Sequence, residues 1–114
     1  MAAGDVVIAM DYRTPAGYRL MAGTVVLDGS NPTPVDLSAY MSSVTFGICQ
    51  MDGSVAPGDD PSYITSNAAA ASVLNVYAWK NTSGTDPTLV ASTDNARLVD
   101  WFAIGPTIPR KGGG

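Results

Sequence analysis

Apolar and polar positions alternate with a period of two along most of this chain, and turn residues break the alternation at short intervals. Residues 6–12 (VVIAMDY) read as a first strand, ended by Arg13-Thr14-Pro15-Ala16-Gly17, which supplies the proline and glycine of a tight reversal. A second strand returns from Gly17. Along it Tyr18, Leu20, Ala22, Thr24 and Val26 share one face and Arg19, Met21, Gly23, Val25 and Leu27 the other, so the pattern leaves its inner face open. Gly23 reads as a bend or bulge, the device that lets a long strand turn a sheet corner. DGSNPTP (28–34) follows as a loop stiffened by two prolines. DLSAYM (36–41) then reads as one helical turn capped by Asp36, which sets Leu37, Tyr40 and Met41 as an apolar plug over the open end of a sheet.

A third strand is predicted at residues 44–51, where Val44, Phe46, Ile48 and Gln50 alternate with Thr45, Gly47, Cys49 and Met51. The Phe46 face is expected to be core, and Asp52-Gly53 ends the strand as a hairpin-like turn. Residues 54–61 read as a loop, 62–66 as a short strand and 67–71 as a link of small residues. The strongest strand signal lies at 73–80, with Tyr77 and Trp79 on one face. A turn cluster at 81–87, a modest strand at 88–92 and a last strand at 98–105 complete the pattern. The expectation is an all-β chain: a single antiparallel β-sandwich or β-barrel of about seven strands with at most one short helical turn. Residues 1–105 form the domain in this reading, and 106–114 a flexible C-terminal tail.

Composition points the same way. All ten acidic residues are Asp, and 12 Gly and 8 Pro punctuate a chain of 114 residues, so only 67–74 has room for a longer helix. With 46% hydrophobic and 14% charged residues, there is ample material for one core and part of the surface must be uncharged. Net charge is −4 and the six basic residues are scattered except for Arg110-Lys111, which speaks against a nucleic-acid interface. Cys49 is alone and forms no intrachain disulfide; no secretory leader and no membrane-spanning run are recognised. Asn81-Thr82-Ser83 matches a glycosylation sequon and reads as an ordinary turn.

The inventory for catalysis is poor. Without His, no His-based triad is possible, and zinc lacks its usual ligands. Carboxylate pairs among Asp52, Asp59, Asp60 and Asp100 could serve glycoside hydrolysis, but all except Asp100 sit in turns that explain them locally. Asp52, Asp59 and Asp60 could also gather around calcium, although a solvated acidic loop explains them better. No enzyme, metal or cofactor is expected. Asp100 interrupts the last strand: either Val99, Trp101 and Ala103 face the core and Asp100 is solvated, the favoured option, or Asp100 meets a cation such as Arg97 or Arg19. Tyr77, Trp79 and Trp101 read either as sandwich core or as a platform for sugar rings or a protein interface.

Three stretches carry a resemblance: YRLMAGTVVLDGSNPTPVDLSAYMSSVTFGI, LNVYAWK and the closing RLVDWFAIG. Their order resembles that of small β-rich virion proteins of tailed double-stranded DNA phages, which often act as capsid decoration (cement) proteins. The segment SVAPGDDPSYITSNAAAAS has no counterpart in that pattern. The resemblance implies a non-enzymatic protein made in the host cytoplasm and carried on the capsid exterior. It also implies binding to the major capsid protein and self-association, with a trimer suiting a capsid's symmetry. No nucleic acid or membrane partner is implied. Candidate interface residues are Val6, Val7, Ile8, Tyr12, Tyr77, Trp79, Trp101, Pro106, Ile108 and Arg110, with the first strand and the tail as arms. A phage tail or head-tail component is the alternative in the same class, and a carbohydrate-binding β-sandwich module the alternative from another.

Overall fold

The structure is a computed structural model; it describes residues 2–53, 60–61, 63–70, 72–83 and 85–108, with the backbone alone for 68–70. Two antiparallel sheets pack face to face. The first contains β1 (Val6–Arg13), β2 (Tyr18–Val26), β8 (Leu98–Pro106) and β4 (Phe46–Met51), in that spatial order. The second contains β3 (Thr33–Asp36), β6 (Val73–Asn81) and β5 (Tyr63–Ala70), and β7 (Leu89–Ala91) also pairs with β6. The described residues contain no helix.

The core lies between Met21, Val25, Val99, Trp101 and Ala103 of the first sheet and Val35, Leu74, Val76 and Ala78 of the second. Register sets which residues share a face. Across the first sheet Val6, Val25, Val99 and Met51 lie in one row, Ile8, Gly23, Trp101 and Cys49 in the next, and Asp11, Met21, Ala103 and Gly47 in a third. These three rows face inward. The inner face of β2, open in the sequence, is therefore the Met21 face, and Asp100 lies on the opposite side from Val99 and Trp101.

Gly23 sits beside a β-bulge, but the extra residue belongs to its neighbour: the register of β1 shifts between Ile8 and Met10. A side chain at Gly23 would drive a carbon into the Val7 carbonyl oxygen, so only glycine lets the bulged strand approach this closely.

The expectation that the Phe46 face of β4 is core is overturned. Phe46 and Ile48 are 69% and 67% exposed, and Gly47, Cys49 and Met51 face inward. The reason is space. β4 and β5 pinch the sandwich shut along one side, where the Cys49 thiol meets the Thr65 carbonyl at 3.5 Å and the Ser66 hydroxyl donates to the Gly47 carbonyl at 3.4 Å. Any side chain at Gly47 would run into Leu74, so the small residues of β4 turn inward and the large ones outward.

The described residues form eight strands, one more than expected. The extra one, β3, carries Pro34 and was read as loop; it is tolerated because β3 lies at a sheet edge, where a missing backbone N–H costs little. Beyond its end the Asn31 side chain accepts a hydrogen bond from the Ala78 N–H (2.8 Å), and the Ser92 N–H donates to the Ala78 carbonyl (2.9 Å). Asn31 thus fills the gap between β3 and β7 along β6. Residues 67–70, read as a link, continue β5.

Leu37, Tyr40 and Met41 close one end of the sandwich as expected. The turn is held by Tyr40 and Met41 N–H bonds to the Leu37 carbonyl, and the Asp36 carboxylate accepts from the Ser38 N–H. Leu37 and Met41 are fully buried. Residues 106–108 of the expected tail belong to the sandwich: Pro106 lies in β8, the Thr107 N–H donates to the Gly17 carbonyl and the Ile108 N–H to the Tyr40 carbonyl; residues 109–114 lie outside the described residues.

Candidate functional site

The largest unexplained feature is the outer side of the first sheet. Register places Tyr12, Leu20, Ile104 and Phe46 in one transverse row, and Met10, Ala22, Phe102 and Ile48 in the next. A third row, Val7, Thr24, Asp100 and Gln50, introduces the face's lone charge in these rows. Tyr18 and Pro106 border the opposite end. Nothing in the described chain covers this face: besides Phe46 and Ile48, Tyr12 is 54% exposed, and Val7, Met10 and Tyr18 are also exposed. Large exposed apolar patches in general mark interaction or ligand-binding surfaces, which makes this face the candidate site.

Between β4 and β8 the face dips into an open groove of about 220 Å³, lined by Ile48, Cys49, Gln50, Asp100, Trp101 and Phe102. Cys49 and Trp101 belong to the inward rows, so alternation leaves Ile48 and Phe102 as apolar walls and Gln50 and Asp100 as a polar end. Burial pushes the Cys49 thiol above its ordinary pKa, which lowers its thiolate fraction and makes it a poor nucleophile.

The face ends at β1, which pairs with β2 on one side and is the sheet's edge on the other. A clamp holds β1 to the body. Arg19, nearly buried, donates from Nε and Nη2 to the two carboxylate oxygens of Asp11 at 2.7 and 2.6 Å, and from Nη1 to the Tyr40 carbonyl at 3.2 Å. Its guanidinium also lies 5.1 Å from the centre of the Tyr40 ring. The Arg19 hydrogen bonds hold the Asp11 carboxyl below the usual range. Arg19 is thereby committed to Asp11 and does not serve Asp100, which removes one of the two cations named for that residue; the favoured core face of Val99, Trp101 and Ala103 is the one observed. At the far end, burial would raise the pKa of Asp28, but hydrogen bonds from Ser30 and Thr33 outweigh it and hold it low. They brace the corner after β2.

The candidate residues fall in several places. Val6, Val7 and Tyr12 are exposed on β1, and Ile8 packs partly against the core. Pro106 and Ile108 are half-buried at the plugged end. Arg110 lies outside the described residues. Trp101 is corrected: at 3% exposure it is a core residue and cannot contact a partner. Tyr77 and Trp79 stack on the outer side of the second sheet, ring centres 6.3 Å apart, and the Trp79 indole donates to the Thr65 hydroxyl at 2.9 Å. The three aromatics proposed as a sugar platform are therefore not assembled.

Asp60 forms an ion pair with Lys80 at 3.5 Å and accepts a short bond from the Ser92 hydroxyl, so it is structural. Asp59 lies outside the described residues. Among the described residues no three metal-ligating side chains gather, and no helix is long and apolar enough to cross a membrane.

The residues missed from sequence are Leu20, Phe46, Ile48, Phe102 and Ile104. Their signal was present in the opposite parity at Gly47 and Ala103, small residues on the side where the sheets approach; Gly23 and Gly105 share that parity but make room for the Val7 and Ser43 backbones.

No protein family matches the chain, and neither the curated proteins nor the solved structures compared with it yield a significant match.

Proposed function

We propose that this protein is a non-enzymatic structural component of a tailed-phage virion, a decoration protein that binds the head lattice from outside and stabilises it. The observation that carries this reading is the uncovered apolar face of the first sheet, bordered by the free edge of β1. A protein that works by being fitted between others presents such a surface; one that works alone keeps it small. The sequence resemblance supplies the kind of assembly, with the major capsid protein as partner, self-association beside it, and synthesis in the host cytoplasm.

Physical logic supports the pairing of the two. Each Å² of apolar surface removed from water contributes about 25 cal/mol, much of it offset by the cost of association. A modest contact repeated over a lattice becomes lasting through effective concentration. A flat β face on a rigid sandwich suits such repetition because little conformational freedom is lost on docking.

The test is co-sedimentation of purified protein with heads that lack it, titrated to saturation. Saturation at a fixed multiple of the lattice sites supports decoration. Absence of binding by the folded protein overturns it, and binding to tails instead would move the protein to the tail or head-tail class.

A second reading rests on the stacked Tyr77–Trp79 pair on the other sheet, with Tyr63 exposed opposite Trp79. Stacked aromatics on a β face are a surface on which sugar rings settle. Retention on a glycan array, lost in Trp79→Ala, would favour this carbohydrate-binding module.

A further inference from the structure

Exposed strand edges are templates for pairing with another chain, and natural sheets blunt them. Three of the edges here are blunted. β4 and β5 close on each other through the Ser66 hydroxyl bond to the Gly47 carbonyl and the contact of the Cys49 thiol with the Thr65 carbonyl. The other side of the second sheet is made of two short strands, β3 with four residues that include Pro34 and β7 with three. β1 is different: it has eight residues with neither proline nor lysine, and among the described residues its outer edge has no backbone partner.

The hydrogen-bond phase shows which groups that edge presents. The Thr14 N–H donates to the Tyr18 carbonyl and the Val26 N–H to the Asp5 carbonyl, so Thr14 and Asp5 belong to pairs bonded to β2. Alternation then turns Tyr12, Met10 and Val7 toward β2 as well, and points the N–H and C=O groups of Val6, Ile8, Asp11 and Arg13 outward. These four lie opposite Val25, Gly23, Met21 and Arg19, every second residue of β2, because the bulge between Ile8 and Met10 absorbs the extra residue. The edge therefore keeps an even spacing of donors and acceptors along its whole length.

We infer that β1 pairs antiparallel with β1 of a second copy, about a two-fold axis normal to the sheet beside Ala9 and Met10. This gives the self-association in the proposed function a structure and rests on that reading. Val6 of each copy lies opposite Arg13 of the other and Ile8 opposite Asp11, the register in which every outward residue of both strands is bonded. The ends of the strand select a second copy and its direction. Asp5 stands at the start of β1 and Arg13 at its end, both exposed and neither in an ion pair among the described residues. Antiparallel pairing sets each Arg13 beside Asp5 of the other copy, whereas parallel pairing would set acid on acid. Because the axis is normal to the sheet, the apolar outer sides of both copies lie on one side and join into an eight-stranded surface. The face on which head binding rests stays open and is doubled.

Sedimentation velocity of the isolated protein, without heads, tests the pairing together with amide exchange. An edge contact is small, so a monomer is expected at about 5 μM and mostly dimer at about 500 μM. At the higher concentration the amides of Val6, Ile8, Asp11 and Arg13 should gain protection that they lack at the lower one. Val6→Pro/Arg13→Pro removes two outward N–H groups that make no bond to β2, so it should stay monomeric at about 500 μM with an unchanged circular dichroism spectrum. Arg13→Asp should weaken the dimer about fivefold, and adding Asp5→Arg to the same chain should restore it. A monomeric or trimeric wild type, a dimer without the new protection in β1, or a proline variant as tightly paired as wild type overturns the inference. Head binding is read separately: a dimer that ignores heads sinks the decoration reading alone, and a monomer that saturates heads sinks the pairing alone.

Discussion

The two sides of the first sheet are built from nearly the same kinds of residue, yet one is the core and the other faces solvent. The inner side carries Met21, Val25, Val99, Trp101 and Ala103 with Gly23 and Gly47 between them. The outer side carries Tyr12, Leu20, Phe46, Ile48, Phe102 and Ile104, the larger set. At β4, size is what separates them. Two sheets pack about 10 Å apart, and where β4 closes on β5 they come closer, so glycine and cysteine are admitted and phenylalanine is not. The side with the larger residues is therefore the one that the described chain leaves uncovered.

The sharpest way to break this contrast is to exchange polarity at adjacent positions of β8. Val99→Asp places an unpaired carboxylate in the core and should cost more than about 4 kcal/mol, a large part of the 5–15 kcal/mol of a domain this size. Asp100→Val, one residue away on the outer side, should stay within about 0.5 kcal/mol. Urea unfolding of both variants reads the difference directly.

Leu74→Ala comes next, with an expected loss of about 3 kcal/mol, because Leu74 is fully buried against the backbone of β4 at Gly47. Asp11→Ala should cost about 2 kcal/mol in the same assay, since it strands the nearly buried Arg19 guanidinium. A loss confined to β1, seen as faster amide exchange in residues 6–13 alone, would show that the clamp holds the edge strand and not the body.

Acid sharpens the contrast further. Asp11 and Asp28 are held below the ordinary carboxylate pKa of about 3.9 in the folded state. A depressed folded pKa contributes stability that is complete above the unfolded value and is lost as pH falls through the folded one. Stability should therefore be level above about pH 5 and fall below about pH 4. Asp11→Asn should flatten that fall, measured by thermal melts across a pH series.

Much of the fold was legible where alternation and turn chemistry agreed. Strands β2, β6 and β8 stand out through apolar runs bounded by Gly, Pro and Asp, and the Leu37–Met41 plug follows from Asp36 and the spacing of its apolar residues. β3 was hidden by Pro34, whose effect depends on whether a strand is central or at an edge, and that is a tertiary property. Residues 67–70 were hidden because Asn and Ala have little intrinsic strand preference and are held by pairing with β6. The candidate surface was the least legible part. Periodicity finds faces but does not say which one a second sheet will cover; only the small residues at 47 and 103 did so, and they become readable once β4 and β8 are known to be neighbours. Trp101 misled for a related reason, since a large aromatic suits core and interface alike.

The central claim, that the described residues leave the large-residue side of the first sheet uncovered, is tested most directly on β4. Equilibrium unfolding of Phe46→Ser/Ile48→Ser and of Gly47→Val should be compared with wild type, at protein concentrations low enough that association does not add to stability. The account predicts that the double variant stays within about 1 kcal/mol of wild type, whereas Gly47→Val loses about 2 to 3 kcal/mol by overpacking against Leu74. The reverse order, with the double variant the more damaged, would mean that Phe46 and Ile48 are core and would contradict the account.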